Sequence, residues 1–472
     1  DVEPAILDGA NQIVTPAFVS LLCICIVFVP MFFLTGVSRF LFVPMALAVM
    51  FAMVWSFILS RTLVPTMAKY LLKAPVHHED RPPSRNPLVW FQRAFEARFE
   101  TFRGIYRGIL VLALDHRRVF VVGFLGCIAL SFLLVPFLGR NFFPSVDAGQ
   151  MLIHVRQQIG TRVEEAANRL ADVQREIRRI IPPDQIDTIA DNIGMPVSGI
   201  NMTYNNTGVI GPQDGDIQIK LKENHRPTAE YVRELREKLP RAFPGMSFAF
   251  LPADIVSQIL NFGAPAPIDL QVRGANADGN FKYANALLRR IRLIPGVADA
   301  RIQQSPNNPG FDVDIDRTRA QYVGVTARDV TNSMVVNLAG SSQVAPTFFL
   351  SPENGVSYSI VMQTPQYEMD SLNKLETLPI STAKTESPPI LGGIADIKRT
   401  RSSAVVSQYD IQPMVQIYAT TQGRDLGAVA ADIENLVAET FKEVPRGRSV
   451  ALLGQVDTMN KAFAGLVFGL HC

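Results

Sequence analysis

Three long runs without a charged residue most constrain how this 472-residue chain can fold. They extend from Gly9 to Ser38, from Phe40 to Ser60 and from Val119 to Gly139. Each run exceeds the roughly 20 residues that cross the roughly 30 Å hydrocarbon core of a bilayer. Buried helices of a soluble protein rarely stay uncharged for so long three times in one chain. The runs are therefore predicted to be membrane spans, and a fourth is predicted to begin at Met459.

Basic residues set the orientation of the predicted spans. The connection 61–118 holds eleven Lys and Arg residues, whereas the loop between the first two spans holds only Arg39. The positive-inside rule places this connection in the cytoplasm and the chain from Asn141 onward on the opposite side. Within it, residues 88–110 alternate aromatic and arginine side chains at helical spacing, which predicts a helix lying in the membrane interface.

Beyond Gln150 the pattern changes to short strands and amphipathic helices. Residues 216–222, 268–273 and 311–317 alternate apolar and polar side chains, as half-buried strands do. Apolar residues recur at helical spacing in 163–177 and 426–436. Strand, helix and strand follow one another twice before residue 251, and a comparable set near residue 267 is interrupted and then resumes. This order predicts two α+β modules with an insertion in the second.

Enzyme motifs are absent from the sequence, so no catalytic residue, cofactor or resident metal site is predicted. The chain has no Walker lysine loop, HExxH, GxSxG or metal-spaced Cys/His group. Glu164 and Glu165 open a predicted helix, and Asp312, Asp314 and Asp316 are expected along one face of a strand. We interpret these acidic groups as structural. A formal net charge of +2 gives no reason to expect a nucleic-acid partner.

Five stretches, taken in order, resemble the inner-membrane permeases of resistance-nodulation-division (RND) efflux pumps. NFFPSVDAGQ at 141–150 resembles the segment that follows the seventh span of these pumps. The other stretches are VFVPMFFLTG with SRFLFVP (27–44), RTLVPTMAKYLL (61–72), FAFLPADI (248–255) and DVDIDRTRAQYVGVTARDV (312–330). The resemblance implies the fifth to seventh spans, the second periplasmic loop and the start of the eighth span.

The fold class implied is a membrane α-helical bundle segment plus an α+β periplasmic porter domain. That domain would contain two ferredoxin-like β-α-β sandwich modules with a docking insertion. The expected domains are two transmembrane helices (1–60), a cytoplasmic linker with an interfacial helix (61–118), a transmembrane helix (119–140), the first porter module (141–260), the second porter module (261–325 and 413–456), the docking insertion (326–412) and the start of the next span (457–472).

By resemblance, the function is proton-driven export from the periplasm or outer leaflet, without enzymatic chemistry. The hydrophobe/amphiphile type is favoured, because metal-exporting members carry a methionine directly after the aspartate that matches Asp254, where this chain has Ile255. The alternatives are a heavy-metal cation pump and a membrane-anchored periplasmic docking or export-accessory protein. The proton-relay residues of the family are expected outside this chain. Expected partners are two further copies in a homotrimer, a periplasmic adaptor, an outer-membrane channel, membrane lipid and small amphiphilic substrates.

The resemblance also implies which residues contact substrate. The loop 193–212, rich in Gly and Asn, would separate two pockets of the porter cleft. For Phe248 and Phe250 a place in the sandwich core is the alternative, for Arg301 a solvated strand end, and for the loop an ordinary surface turn. The candidate substrate-binding residues are Phe248, Phe250, Arg301, Met195, Met202 and Tyr204.

Overall fold

A computed structural model describes most of the chain, and all structural statements below concern the residues that it describes. These are residues 2–71, 87–134, 138–143, 147–196, 207–261, 263–381, 387–440 and 447–471. The chain divides into two compact units. The first contains Asp1–Met151, Phe250–Ile302 and Asp410–Cys472, and the second contains Leu152–Ala249 and Gln303–Tyr409.

The N-terminal part is a pair of long apolar helices. Helix α1 (Val2–Phe28) leads into a 3₁₀ segment, Val29–Phe33, and helix α2 covers Gly36–Leu71. The segments Glu3–Phe33 and Ser38–Leu71 are long and apolar enough to cross a membrane. Few of the side chains in their most apolar windows are buried by protein, as expected for surfaces that face lipid.

Helix α2 runs past the predicted end of the second span. The charge-free run ends at Ser60, yet the helix continues to Leu71 and so contains Arg61. The Arg61 guanidinium donates to the backbone carbonyl of Ala10 on α1 and lies 5.7 Å from the centre of the Phe57 ring. These two contacts partly compensate the cost of placing the Arg61 charge near lipid. Helix α2 can therefore continue through Arg61.

The third predicted span is only partly described. Helix α3 (Pro87–Asp115) covers the predicted interfacial helix, and its aromatic residues Phe95, Phe99 and Phe102 are exposed. Helix α4 follows at Arg117–Phe132. Its 16 residues measure about 24 Å, less than the roughly 30 Å of a bilayer core. Because residues 135–137 lie outside the description, a complete third span stays a prediction.

The first sheet confirms the predicted repeat of strand, helix and strand. The elements are β1 (Gln150–Arg156), α5 (Val163–Ile180), β2 (Ile186–Ile193), β3 (Asp214–Leu221), α6 (Thr228–Ala242) and β4 (Ser247–Leu251). The strand order is β2-β3-β1-β4. Ala166, Leu170, Val173 and Ile177 of α5 are fully buried, so the helical spacing seen in the sequence marks the face that packs in the core.

The short helix α7 (Ile255–Leu260) connects the first sheet to the second. The second sheet starts with β5 (Ile268–Gly274), α8 (Ala277–Ile291) and β6 (Val297–Ile302). A long segment then separates β6 from the next strand of this sheet. The insertion contains β7 (Asn308–Ile315), α9 (Arg317–Tyr322), α10 (Ala327–Ala339), β8 (Thr347–Leu350), β9 (Ser357–Ile360), α11 (Leu372–Glu376), α12 (Leu391–Ile394), β10 (Ala395–Ser402) and β11 (Ser407–Tyr409).

Within the insertion, β7 pairs antiparallel with β10 and β8 pairs with β9. The predicted strand 311–317 ends at Ile315. Asp312 and Asp314 therefore lie on the strand, but Asp316 does not: its carboxylate accepts hydrogen bonds from the backbone N–H groups of Thr318 and Arg319. Asp316 is thus the N-cap of α9, a position that aspartate favours, and the strand expected at this residue is replaced by a helix start.

The chain returns to the second sheet through β12 (Gln412–Thr421), α13 (Leu426–Thr440) and β13 (Arg448–Gly454), and α14 (Gln455–His471) follows directly. The strand order is β11-β12-β5-β13, with β6 also paired to β12. Ile268, Leu270 and Val272 point from β5 into a core that includes Leu287 and Ile433 from the two helices. The alternate residues of β5 lie on the other face of the sheet.

Candidate functional site

The structure does not bring the six predicted substrate contacts together. Met202 and Tyr204 lie outside the described residues. Met195 follows β2 and is exposed, whereas Phe248 is half-buried on β4 with its ring 6.4 Å from that of Phe243. Phe250 is buried, as its alternative as a core residue requires, and its backbone N–H donates to Asp299 at 3.0 Å.

Arg301 is buried, whereas its alternative in the sequence analysis was a solvated strand end. Only 9% of it is exposed, and its guanidinium carbon lies 5.6 Å from the centre of the Tyr418 ring. Strand β12 pairs with β6 so that Tyr418 lies opposite Arg301, and with β5 so that Tyr418 lies opposite Asp269. Directly paired residues share a face of the sheet. Arg301, Tyr418 and Asp269 therefore form one row across three strands, on the face away from the helices.

We call the polar residues of this face the second-sheet polar surface. It consists of Asp269, Gln271 and Arg273 on β5, Arg301 on β6, and Gln416 and Tyr418 on β12. Gln271 Nε2 donates to Asp269 Oδ2 at 2.6 Å, and Gln416 Nε2 donates to the same oxygen at 3.3 Å. Arg273 donates to Gln271 Oε1 at 2.7 Å and 3.2 Å. The amide of Gln271 thus lies between the carboxylate and the nearest arginine.

Burial dominates the electrostatics of this surface. It raises the pKa of Asp269 above the ordinary aspartate value, although the two glutamine hydrogen bonds and the positive charge of Arg273 act in the opposite direction. Burial also raises the pKa of Tyr418 well above its ordinary value, an effect that the negative charge of Asp269 reinforces. The surface therefore holds a carboxyl group whose charge the neighbouring side chains do not fully compensate, beside a phenol that stays neutral.

The raised pKa predicts how stability depends on pH. The folded chain binds the Asp269 proton more readily than the unfolded chain does. Deprotonation of this carboxyl therefore lowers the free energy of unfolding as pH rises from the ordinary aspartate pKa through the raised one. Asp269→Asn should be more stable than the wild type at about pH 7, and the difference should vanish below the ordinary aspartate pKa of about 4. Urea unfolding followed by circular dichroism at both pH values measures this. A variant that is less stable at neutral pH would contradict it.

A second buried polar cluster, which the sequence analysis missed, lies on the first sheet. His154 and Arg156 on β1 face Asp214 and Asp216 on β3, and His154, Asp214 and Asp216 are almost completely buried. Arg156 donates to both carboxylate oxygens of Asp214, from Nε at 2.9 Å and from Nη2 at 3.0 Å. His154 Nδ1 lies 2.8 Å from Asp216 Oδ1, while its Nε2 is 3.9 Å from Asp214 Oδ2.

This cluster also fixes the end of the predicted loop 193–212. Arg156 Nη1 donates to the carbonyl of Gln303 at 3.1 Å, and Gln303 Nε2 donates to the carbonyl of Gly208 at 2.6 Å. The backbone N–H of Ile210 donates to Asp214 Oδ2 at 3.0 Å. The signal that could have revealed the cluster is ionisable residues of opposite sign at alternate positions of two strands, His154 and Arg156 on one and Asp214 and Asp216 on the other.

The Asp254 side chain in the FAFLPADI stretch has a structural role. It is the N-cap of α7, and its Oδ1 accepts from the Ser257 backbone N–H at 2.8 Å. Asp254→Ala should therefore cost about 1 kcal/mol of local stability, whereas Asp254→Asn, an equally good cap, should cost much less. Amide hydrogen exchange at Ser257 measures the difference. Equal exchange in the two variants would show that the cap does not stabilise this helix.

Comparison with known proteins decides the family. The family model described as AcrB/AcrD/AcrF matches residues 3–468, nearly the whole chain. The chain belongs to the AcrB/AcrD/AcrF family. The expected RND resemblance is thereby confirmed at the level of the family, and this family consists of transporters rather than enzymes.

Two curated relatives of the chain are named for cation efflux and for metal resistance. It is 26% identical over 465 residues to the cation efflux system protein CusA of Escherichia coli K12, covering 97% of this chain and 41% of that protein. It is 23% identical over 468 residues to the cobalt-zinc-cadmium resistance protein CzcA of Cupriavidus metallidurans, with the same coverage of 97% and 41%. The chain thus spans about two fifths of the length of these relatives.

A solved structure shares the fold. The crystal structure of a heavy metal efflux pump matches with a TM-score of 0.72 at 21% identity, covering 98% of this chain and 44% of that one. The names of these relatives do not support the hydrophobe/amphiphile type that the sequence analysis favoured. The preference for amphiphiles relied on Ile255, a single position. Among the described residues, no three His, Cys, Asp or Glu side chains form a group that could hold a metal ion.

Proposed function

We propose that this chain is part of a proton-driven inner-membrane pump that exports heavy-metal cations. The observation that carries the proposal is the similarity to CusA across 97% of the chain, because it includes the apolar helices and both sheets. The structure adds a reason not to prefer amphiphiles. Phe250, one of the expected aromatic contacts, is buried and has little surface to offer a bulky apolar ligand.

The two sheets are proposed to be the porter modules. In each module the strands, counted in chain order, lie in the order second, third, first, fourth, as in ferredoxin-like folds. The first module would comprise β1–β4, and the second β5, β6, β12 and β13. The proposed location is the periplasmic side of the inner membrane for 141–456, with 61–118 in the cytoplasm.

The insertion between β6 and β12 is proposed to dock on partners. All residues of the strands β8 and β9 are exposed, including Phe348, Phe349 and Tyr358. Exposed apolar surface of this kind favours contact with another protein. The proposed partners are two further copies in a homotrimer, a periplasmic adaptor and an outer-membrane channel. An accessory protein that only docks would use the same hairpin but would not transport.

Amphiphile export is retained as the second candidate for one reason. Ile255, at the position where the resemblance implies a methionine in metal pumps, is largely exposed, at 72%. An exposed isoleucine favours apolar ligands over soft metal ions, which prefer sulfur. The two candidates can be separated because their substrates are chemically unrelated.

The test uses a bacterium that lacks its own RND pumps and expresses the full-length protein that carries this chain. We expect increased growth in toxic concentrations of copper, silver, cobalt, zinc or cadmium salts, with no change in the accumulation of ethidium. Lower ethidium accumulation without metal tolerance would favour the amphiphile pump. Neither effect, together with copurification of an adaptor, would favour the docking protein.

A further inference from the structure

One carboxylate oxygen on the second-sheet polar surface has no partner. Asp269 Oδ2 accepts the two glutamine hydrogen bonds, but Oδ1 is buried and accepts none from the residues that the structure describes. Only 6% of Asp269 is exposed. An unpaired acceptor in such a place is costly, and native structures keep few of them. Oδ1 is therefore available to a donor or a cation that the protein itself does not supply.

The charges near Asp269 do not neutralise it. Among the described residues it forms no ion pair, and the guanidinium of Arg273 is directed to Gln271 Oε1. On β12 its neighbours are the neutral Gln416 and Tyr418, and Arg301 lies on the far side of Tyr418. On β13 the residues sharing this face are Ser449, Ala451 and Leu453, none of them charged. The carboxyl is thus the group on this face with an unmet preference for positive charge.

The residues around Oδ1 suit a cationic group. Tyr418 lies directly opposite Asp269 across the strand pair, which places an aromatic side chain next to a carboxylate. Carboxylates attract cations directly, and aromatic rings attract them through their faces. Carboxylate oxygens also bind divalent metal ions. The shared chemistry is positive charge, carried by a metal ion or by an organic cation.

We propose that Asp269 is a substrate-binding residue whose Oδ1 receives the positive charge of the exported cation on the second-sheet polar surface. This inference rests on the proposed export function and names a site for it. Binding forms an electrostatic contact and breaks no covalent bond. Burial raises the pKa of Asp269 because it removes water from the carboxylate. The same burial holds the side chain in a fixed position before a cation binds.

The test measures binding to the 472-residue chain in lipid nanodiscs by titration calorimetry at neutral pH. The probes are Co²⁺, for a metal ion, and tetraphenylphosphonium, for an organic cation. Asp269→Asn keeps the size of the side chain and removes its charge, and we expect it to weaken binding of one probe at least tenfold. The matched control is Asp278→Asn, at an exposed aspartate of α8, which should bind like the wild type.

The probe that loses affinity identifies the source of the positive charge. Equal binding to the wild type and Asp269→Asn for both probes would overturn the proposal, and so would an equal loss in Asp278→Asn. In the wild type, the bound probe should also slow amide hydrogen exchange in β5 and β12, and protection confined to other elements would overturn the proposal without using any variant. Growth in metal salts is a separate measurement, so failure of the pump and failure of this site can be distinguished.

Discussion

Replacing Arg156 with methionine is expected to destabilise the first sheet by about 3–5 kcal/mol. The variant leaves Asp214, which is completely buried, without the two guanidinium hydrogen bonds that it receives at 2.9 Å and 3.0 Å. A buried carboxylate that loses its cationic partner retains the full cost of its burial. The same substitution removes the contacts from Arg156 to the carbonyls of Gln303 and Gly208.

Amide hydrogen exchange in β1 and β3 measures this loss as a smaller free energy of local opening. Arg169→Met is the matched control in the same module. Arg169 forms an ion pair with Glu165 at 2.8 Å, but the two side chains are 42% and 52% exposed, so its loss should cost less than about 1 kcal/mol. Similar effects from the two variants would show that the Arg156 ion pair contributes no more than a surface pair.

The second large effect is expected at Gly454, where β13 passes into α14. Its φ is +83°, a conformation that costs other residues about 1–2 kcal/mol. A Cβ atom at this position would lie 2.6 Å from the carbonyl oxygen of Pro267 and 3.4 Å from the backbone nitrogen of Asp269. Backbone atoms cannot rotate away, so overpacking adds about 1–3 kcal/mol. We expect Gly454→Ala to destabilise the second sheet by about 2–5 kcal/mol.

Gly423→Ala is the control that separates the two contributions. Gly423 has a similar φ of +71°, but a Cβ atom there would meet nothing within 4 Å. It should therefore cost only the conformational part, about 1–2 kcal/mol. Urea unfolding of both variants, followed by circular dichroism, measures the difference. If Gly454→Ala cost no more than Gly423→Ala, the contact with Pro267 would be too loose to matter.

The sequence predicted the elements of both sheets because the core requires periodic apolar residues. Leu170 and Val173 on α5 recur at helical spacing, and the alternation at 268–273 marks the two faces of β5. Propensity and periodicity are local properties, so they can be read without knowing the fold. The end of β7 was missed because Asp316 continues the alternation yet caps a helix.

The second-sheet polar surface could not be predicted in the same way. Asp269 and Tyr418 are far apart in the sequence and meet only through the register between β5 and β12. Register depends on the whole sheet, and a shift by one residue would turn these side chains toward the core. For His154 and Asp214 the alternation of charge was visible, but their burial depends on the same long-range pairing.

The substrate type was predicted from one residue, which is too little. Ile255 differs from the methionine that metal pumps were expected to have, but a ligand set depends on side chains from several elements. The relatives named for cation efflux and for metal resistance match nearly the whole chain, whereas Ile255 is one position.

The most direct test of cation export is the metal content of cells. The full-length protein that carries this chain would be expressed in a pump-deficient bacterium, and intracellular copper, cobalt, zinc and cadmium would be measured by mass spectrometry after loading. Export predicts that at least one metal falls severalfold below the level in cells without the protein. The proposed Asp269 site predicts in addition that Asp269→Asn restores most of that metal. Unchanged content of every metal at matched expression would contradict the account.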